Sequence, residues 1–332
     1  MHKQIDDLTA SLALNCKEEV SRITEILHTQ VYKQFKKRGA IIALSGGIDS
    51  SVVGALCVET LGKDHVFGLL LPEEDSSPDT IRLSRLIADH LGIERVEEDI
   101  TPILNAVGCY QHRDNAIRSI IPEYDSDYAC KIVLPTVTDN DMFRIFSVVV
   151  ESPDGKQTKA RLSQSAYLGI VAATNFKQRV RKMLEYFHAD RLNYAVTGTP
   201  NRQEYDQGFF VKLGDGSADV KPIAHLYKTQ VYQLAEYLGI PDEIQHRPPT
   251  TDTYSMEQSQ EEFYFSVPYD KMDLCLFGKN NNVAPQEVAH ATSLTPEQVE
   301  RVYKDIDAKR RATRYLHTKP LLIDRVSEIE GL

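Results

Sequence analysis

Residues 40–56 read AIIALSGGIDSSVVGAL, and how this stretch is read decides the fold. The apolar run Ala40–Leu44 has the composition of a strand buried on both faces, as strands of parallel sheets are. A tight polar turn follows, and then a second apolar run at helical spacing. Strand, glycine-rich turn and helix in that order make an anion site. Gly46 and Gly47 let the backbone approach closely and aim N–H groups at a ligand. The helix N-terminus adds its positive dipole end, and Ser45, Ser50 and Ser51 add hydroxyls. No lysine sits in the turn as in G-x-x-x-x-G-K-[ST], and the spacing is not G-x-G-x-x-G, so two common nucleotide loops are excluded. Asp49 is the odd member. Among phosphate-binding groups a carboxylate repels the ligand unless a cation such as Mg²⁺ stands between them; the plainer alternative is a cap on the helix at Ser51 or Val52.

Working outward, residues 6–38 read as helices with Val20, Ile23, Leu27 and Val31 on one face. The helix after the turn ends at Gly62, and VFGLLLP (66–72) is a second strand. A helix stopping at Gly92 and the strand RVEEDI (95–100) follow. Strands alternating with helices at this spacing predict a doubly wound, mostly parallel α/β sheet flanked by helices. The stretch 105–160 breaks the rhythm as an insertion, and SPDG (152–155) between two β-rich runs predicts a hairpin. A long helix (167–189), the strand NYAVTGT (193–199), and a helix over 227–244 closed by Gly239 and Pro241 complete the pattern. Beyond Pro248 the chain turns polar and then helical, with Thr295 as an N-cap. These signals divide the chain into a nucleotide-binding domain over 1–275, carrying the insertion, and a helical C-terminal extension over 276–332.

The bulk properties narrow the function. Of 332 residues, 48 are acidic and 38 basic, a formal charge of −10, which argues against a nucleic-acid binder. Cys16, Cys57, Cys109, Cys130 and Cys275 are scattered and never in C-x-x-C spacing, which argues against zinc and a disulfide scaffold and for a reducing cytoplasm. No apolar run approaches membrane-spanning length.

The string SGGIDSS (45–51) resembles the pyrophosphate-binding loop of the N-type ATP pyrophosphatases, whose fold is adenine nucleotide alpha hydrolase-like. The stretch VTGTPNRQEYDQGFFVKLGDGSADVKPIAHLYKTQV (196–231) resembles the NAD synthetase branch of that superfamily. So do NFKQRVR (175–181), PPTTD (248–252), VPYDKMD (267–273) with a following glycine, and the basic run AKRRAT (308–313).

The resemblance implies a ligase forming a carbon–nitrogen bond. A carboxylate of deamido-NAD is adenylated by ATP, pyrophosphate leaves, and ammonia displaces AMP to give NAD. By position, Ser45, Gly46, Gly47, Asp49 and Ser50 hold ATP phosphates, and Thr199, Lys228 and Thr250 contact ATP. Asp49 and Glu204 hold Mg²⁺, while Arg179, Lys212, Asp219 and Lys309 meet the acceptor. Asp49, Lys228 and Lys309 are the implied catalytic groups. A homodimer is implied as well, and no fused glutaminase is expected, so ammonia is free or delivered by a separate partner. Three departures stand out. The insertion is long, QSQEEFYF (258–265) replaces an acidic family stretch while keeping Glu261 and Glu262, and Ala308 replaces a histidine. They leave open the same adenylation and amidation chemistry on a different carboxylate.

Overall fold

The computed structural model describes residues 8–134, 146–250, 253–265 and 267–329. Residues 135–145 of the insertion, Thr251 and Asp252 of the Pro248–Asp252 loop, and the side chain of Glu261 lie outside that description.

Helix α1 (Cys16–His28) buries Val20, Ile23 and Leu27 and is capped by the Asn15 side chain. Strand β1 (Ala40–Ala43) then enters the core and hands over to α2 (Ile48–Leu61) through the polar turn. Next come β2 (Val66–Leu70), α3 (Pro78–Leu91), which Ser77 caps and Gly92 ends in the left-handed region, and β3 (Glu94–Glu97). The sheet is completed much later in the chain by β7 (Ala195–Val196), giving the parallel order β3-β2-β1-β7. Ile41 pairs with Phe67 on one side and Val196 on the other.

Period-two alternation assigns each strand residue to a face. Ala40, Ile42, Val66 and Leu70 join a core built by α1, α2 and α3. Ile41, Phe67 and Leu69 point the other way. Both isoleucines are fully buried, each contributing on the order of 2 kcal/mol through burial. The expected doubly wound sheet is therefore present.

Between β3 and β7 lies the insertion. Helices α4 (Thr101–Ala106) and α5 (Cys109–Arg118) lead into an antiparallel sheet of β4 (Ala129–Val133), β5 (Ser147–Glu151) and β6 (Gln157–Arg161). The expected hairpin is its β5–β6 half, with Ser152 N–H donating to Lys156 O at 3.1 Å and Gly155 at φ +81°. Reading the hairpin alone missed β4, because its partner lies 14 or more residues away in sequence. Helix α6 (Gln164–Leu192) then runs 29 residues, capped by Ser163, a length of about 44 Å.

After β7 come α7 (Arg202–Gln207) and α8 (Lys228–Tyr237), which joins the α1–α2 core. As expected, Gly239, at φ +68°, and Pro241 close α8, and the last residues of the expected stretch form a separate short helix, α9 (Asp242–Gln245). Helices α10 (Tyr269–Asn280), α11 (Pro285–Thr292) and α12 (Pro296–Thr313) gather round a separate core that includes Leu276, Val288, Val302 and Ile306. Thr295 caps α12 as expected, its Oγ1 accepting from Gln298 N–H at 3.2 Å.

Candidate active site

The C-terminal ends of the parallel strands open into a cavity of about 440 Å³, the usual place for a ligand in an open α/β sheet. The turn after β1 forms part of its floor. Gly46 sits at φ +67°, and a Cβ there would lie 2.6 Å from Leu83 Cβ and 2.9 Å from Ser84 N, so both the backbone angle and the approach of α3 require glycine. Inside the turn, Ser45 N–H donates to Ser50 Oγ at 3.3 Å and Ser50 O–H donates to Gly47 O at 3.1 Å. Gly47 takes the N-cap position of α2 with no side-chain cap, and it lines the cavity with Ile48, Asp49 and Ser50. Amides at an uncapped helix start seek an anion.

Opposite the turn stands Lys228 at the start of α8. Its backbone is pinned by Asp273, which accepts from Lys228 N–H at 3.2 Å, Thr229 N–H at 2.7 Å and Gln203 Nε2 at 2.6 Å. Burial pushes the Asp273 carboxyl up to about 6. The Lys228 side chain is 2% exposed and its ammonium pairs with Asp49. Asn201 donates to the other Asp49 oxygen at 3.0 Å. Asn201 also caps α7 in a reciprocal box with Glu204: Glu204 N–H donates to Asn201 Oδ1 at 3.2 Å, and Asn201 N–H donates to Glu204 Oε2 at 3.0 Å. Gln260 donates to the remaining Glu204 oxygen at 3.2 Å.

Asp49 thus pairs directly with the Lys228 ammonium, and Glu204 lies close enough to feel both charges. Burial and then the neighbouring Asp49 charge push Glu204 up to about 8, although Lys228 pulls it down. Burial disfavours the Lys228 charge, but Asp49 and Glu204 outweigh it and its pKa is raised. A further cation at Glu204 would hold it ionised. Among the described residues no group of three or more metal-ligating side chains exists; Asp49 and Glu204 could offer two hard oxygen donors, with a bound phosphate offering others. That division matches how Mg²⁺ is held at phosphate-transfer sites, through one or two carboxylates plus substrate oxygens.

A second charged cluster was not legible in the sequence. Lys177, 1% exposed on α6, pairs with Glu73 at 2.9 Å and Asp75 at 2.5 Å and donates to Thr253 O at 2.9 Å. Arg113 of α5 bridges Asp75 and Asp114, and Tyr110 O–H donates to Glu73 at 2.7 Å. This network ties the β2–α3 loop, the insertion and the segment around Thr253 to α6. One turn and more along α6, Lys182 pairs with Glu185 at 2.6 Å; burial raises Glu185 and the nearby Asp215.

Of the residues singled out from sequence, Ser45, Gly47, Asp49, Ser50, Thr199, Glu204, Lys228 and Thr250 all line the cavity, and Gly46 shapes its floor. Four lie outside its lining. Arg179 is on the outer side of α6, donating to Lys212 O at 3.4 Å. The Lys212 ammonium donates to Tyr315 O and Thr318 O at 2.9 and 3.4 Å. Asp219 accepts from Val196 N–H at 2.8 Å and Tyr186 O–H at 3.3 Å. Lys309 on α12 pairs with Asp305 at 2.8 Å and donates to Tyr264 O at 2.7 Å. Glu262 pairs with Lys131 of β4 at 2.9 Å. Asn201 was overlooked, yet its spacing to Glu204 is a capping-box signature that could have identified it.

Comparison with known proteins adds an independent finding. A family model described as NAD synthase matches residues 19–124 and 129–314. An NH(3)-dependent NAD(+) synthetase of Rhizobium meliloti is 59% identical over 320 residues, covering 96% of each chain. Among solved structures, an NMN synthetase from Francisella tularensis shares the fold at a TM-score of 0.65 and 21% identity, covering 94% of this chain and 100% of its own. An NH3-dependent NAD synthetase from Campylobacter jejuni does so at 0.61 and 21%, with the same coverage.

Proposed function

Because this chain belongs to the NAD synthase family, we propose that it amidates deamido-NAD to NAD with ATP and ammonia, as a carbon–nitrogen ligase releasing AMP and pyrophosphate. The observation that carries the site assignment is the meeting of Asp49, Glu204 and Lys228 at the mouth of the uncapped turn. No single segment of chain would bring them together without a use for the charge.

The chemistry needs a triphosphate held by its β and γ groups and a carboxylate in line with the α-phosphorus. The α2 amides and the Ser45 and Ser50 hydroxyls suit the first task, and Lys228 supplies positive charge beside the breaking bond. The acceptor carboxylate attacks the α-phosphorus, pyrophosphate leaves, and ammonia then attacks the acyl carbon of the mixed anhydride, expelling AMP. No covalent enzyme intermediate is required; positioning and charge stabilisation lower the barrier. Asp49 and Glu204 would hold Mg²⁺, which would supply positive charge against the phosphates. Thr199 and Thr250, both lining the cavity, contact ATP.

The acceptor groups Arg179, Lys212, Asp219 and Lys309 lie outside the cavity of one chain, which supports a homodimer. Leu168, Met183 and Phe187 form an exposed apolar stripe on α6, each more than half exposed, and Arg179 falls on the same stripe at helical spacing. A second copy seated there would cover the stripe and bring its own groups toward Arg179. All five cysteines are free thiols, four of them buried, which supports work in a reducing cytoplasm.

The test is direct. Purified protein with ATP, Mg²⁺, ammonium and deamido-NAD is expected to form NAD and AMP in equal amounts. AMP formation only with other carboxylic acids overturns the acceptor assignment, and no ATP turnover overturns the reaction.

A further inference from the structure

Strand β4 is the edge strand of the inserted sheet, and a segment 125 residues further along the chain closes that edge. Cys130 N–H donates to Ser255 Oγ at 2.9 Å, Met256 N–H donates to Cys130 O at 3.2 Å, and Gln258 Nε2 donates to Ile132 O at 2.5 Å. The Lys131 ammonium adds Glu257 O at 3.3 Å and the Glu262 carboxylate at 2.9 Å. An edge strand presents N–H and C=O groups that want a neighbour. Here the neighbour is a wall of the active-site cavity, since Tyr254, Gln260 and Phe263 all line it.

Gln260 is the residue of this segment that reaches the charged groups. Its backbone N–H donates to Pro249 O at 3.2 Å, and Ser259 before it bridges to Thr250. Its side-chain Nε2 donates to Glu204 Oε1 at 3.2 Å. Glu204 Oε2 is already held from within the α7 cap by Asn201 N–H at 3.0 Å. A carboxylate fixed through one oxygen still turns about its last torsion, which is broad and two-fold. A second donor, brought from a different element, fixes the plane of the group. The amide also does so without charge. An acid at this position would add negative charge beside Asp49 and Glu204, and a lysine or arginine would take the place of a bound cation.

We propose that Gln260 is a positioning residue that aims the Glu204 carboxylate into the cavity, and that the β4 edge of the insertion sets Gln260 in place. The inference rests on the function proposed above in one respect, that Glu204 faces Mg–ATP. The insertion then serves the site from behind its wall, through backbone hydrogen bonds and one amide, with no contact of its own strand β4 to the substrates.

Partners that orient a metal-binding carboxylate are worth about ten- to a hundredfold in affinity. Gln260→Met keeps length and bulk and removes the donor. Its Kd for Mg–ATP, read by calorimetry with no acceptor present, is expected to rise at least about tenfold. In a Glu204→Ala background the same change is expected to move Kd by less than about twofold, because no carboxylate is left to orient. Lys131→Ala, on β4 and outside the cavity lining, is expected to weaken Mg–ATP binding about two- to fivefold, and to add nothing once residue 260 has lost its amide. Melting temperatures separate these effects from loss of fold, and Gln260→Leu serves if Gln260→Met does not fold. An unchanged Kd in the folded variant, or an equal loss with and without the Glu204 carboxylate, overturns the positioning role. A Lys131→Ala variant that binds normally, or whose loss persists in full beside Gln260→Met, overturns the part assigned to β4. A wild type that binds Mg–ATP and makes no NAD overturns the parent reaction while the binding cycle still decides this inference.

Discussion

Glu204 offers the most demanding test of the site, because its proton is a measurable reporter. Buried beside Asp49, its carboxyl is raised from an ordinary 4.5 to about 8. In the ligand-free protein it is then about nine-tenths protonated at pH 7, half at pH 8 and one-tenth at pH 9. If Mg–ATP binds with Glu204 as a carboxylate ligand, binding expels that proton. The expected release is about 0.9 protons at pH 7, falling to about 0.5 at pH 8 and about 0.1 at pH 9. Titration calorimetry in buffers of different ionisation enthalpy reads this number from the slope of apparent enthalpy against buffer enthalpy. Glu204→Gln cannot release it, so subtracting the variant removes protons contributed by the nucleotide. The same shift has a stability consequence. The folded state holds a proton that the unfolded chain has lost between pH 4.5 and about 8, so the ligand-free wild type loses stability as pH rises through that window. Glu204→Gln flattens this slope. A wild-type-minus-variant difference near zero at pH 7 would refute the argument that burial beside Asp49 keeps Glu204 protonated, whatever the enzyme's activity.

Three further outcomes are expected. Asp49→Asn should lower kcat by at least about a hundredfold with the melting temperature little changed; retained turnover removes Asp49 from the phosphate chemistry. Gly46→Ala must hold φ +67° and place a Cβ 2.6 Å from Leu83 Cβ. A loss of about 2–3 kcal/mol in denaturant melts follows, with weaker ATP binding, and a fully stable variant contradicts the turn geometry. Phe187→Glu places a charge in the exposed α6 stripe, so sedimentation is expected to shift from dimer toward monomer with impaired use of deamido-NAD. A wild type that is monomeric at working concentration rules that interface out.

Much of the site was legible because its parts are local. The turn after β1 is a run of seven residues whose glycines and serines have no better use than an anion, and Asp49 stands out in it by charge alone. Pairing across distance was not legible. That Lys228 meets Asp49 follows from α8 packing against α2, and nothing within either segment states it. The Lys177 network draws on Glu73, Asp75, Arg113 and the backbone oxygen of Thr253, and each of its charged side chains reads in isolation as a solvated surface charge. The end of α8 was legible, because two breakers two positions apart, Gly239 and Pro241, outweigh the apolar periodicity; the short α9 (Asp242–Gln245) beyond them was not set apart.

The amino-acid string alone determined the strand–turn–helix unit, the parallel sheet and the uncapped, glycine-bearing turn that opens α2, because backbone angles and helix dipoles depend on a few adjacent residues. Tertiary structure decided that Asp49 meets the Lys228 ammonium and how far Glu204 departs from an ordinary acid. It also decided where the insertion holds the segment that carries Gln260. Burial and charge proximity are sums over groups far apart in the chain, and they take a value only once the chain has folded.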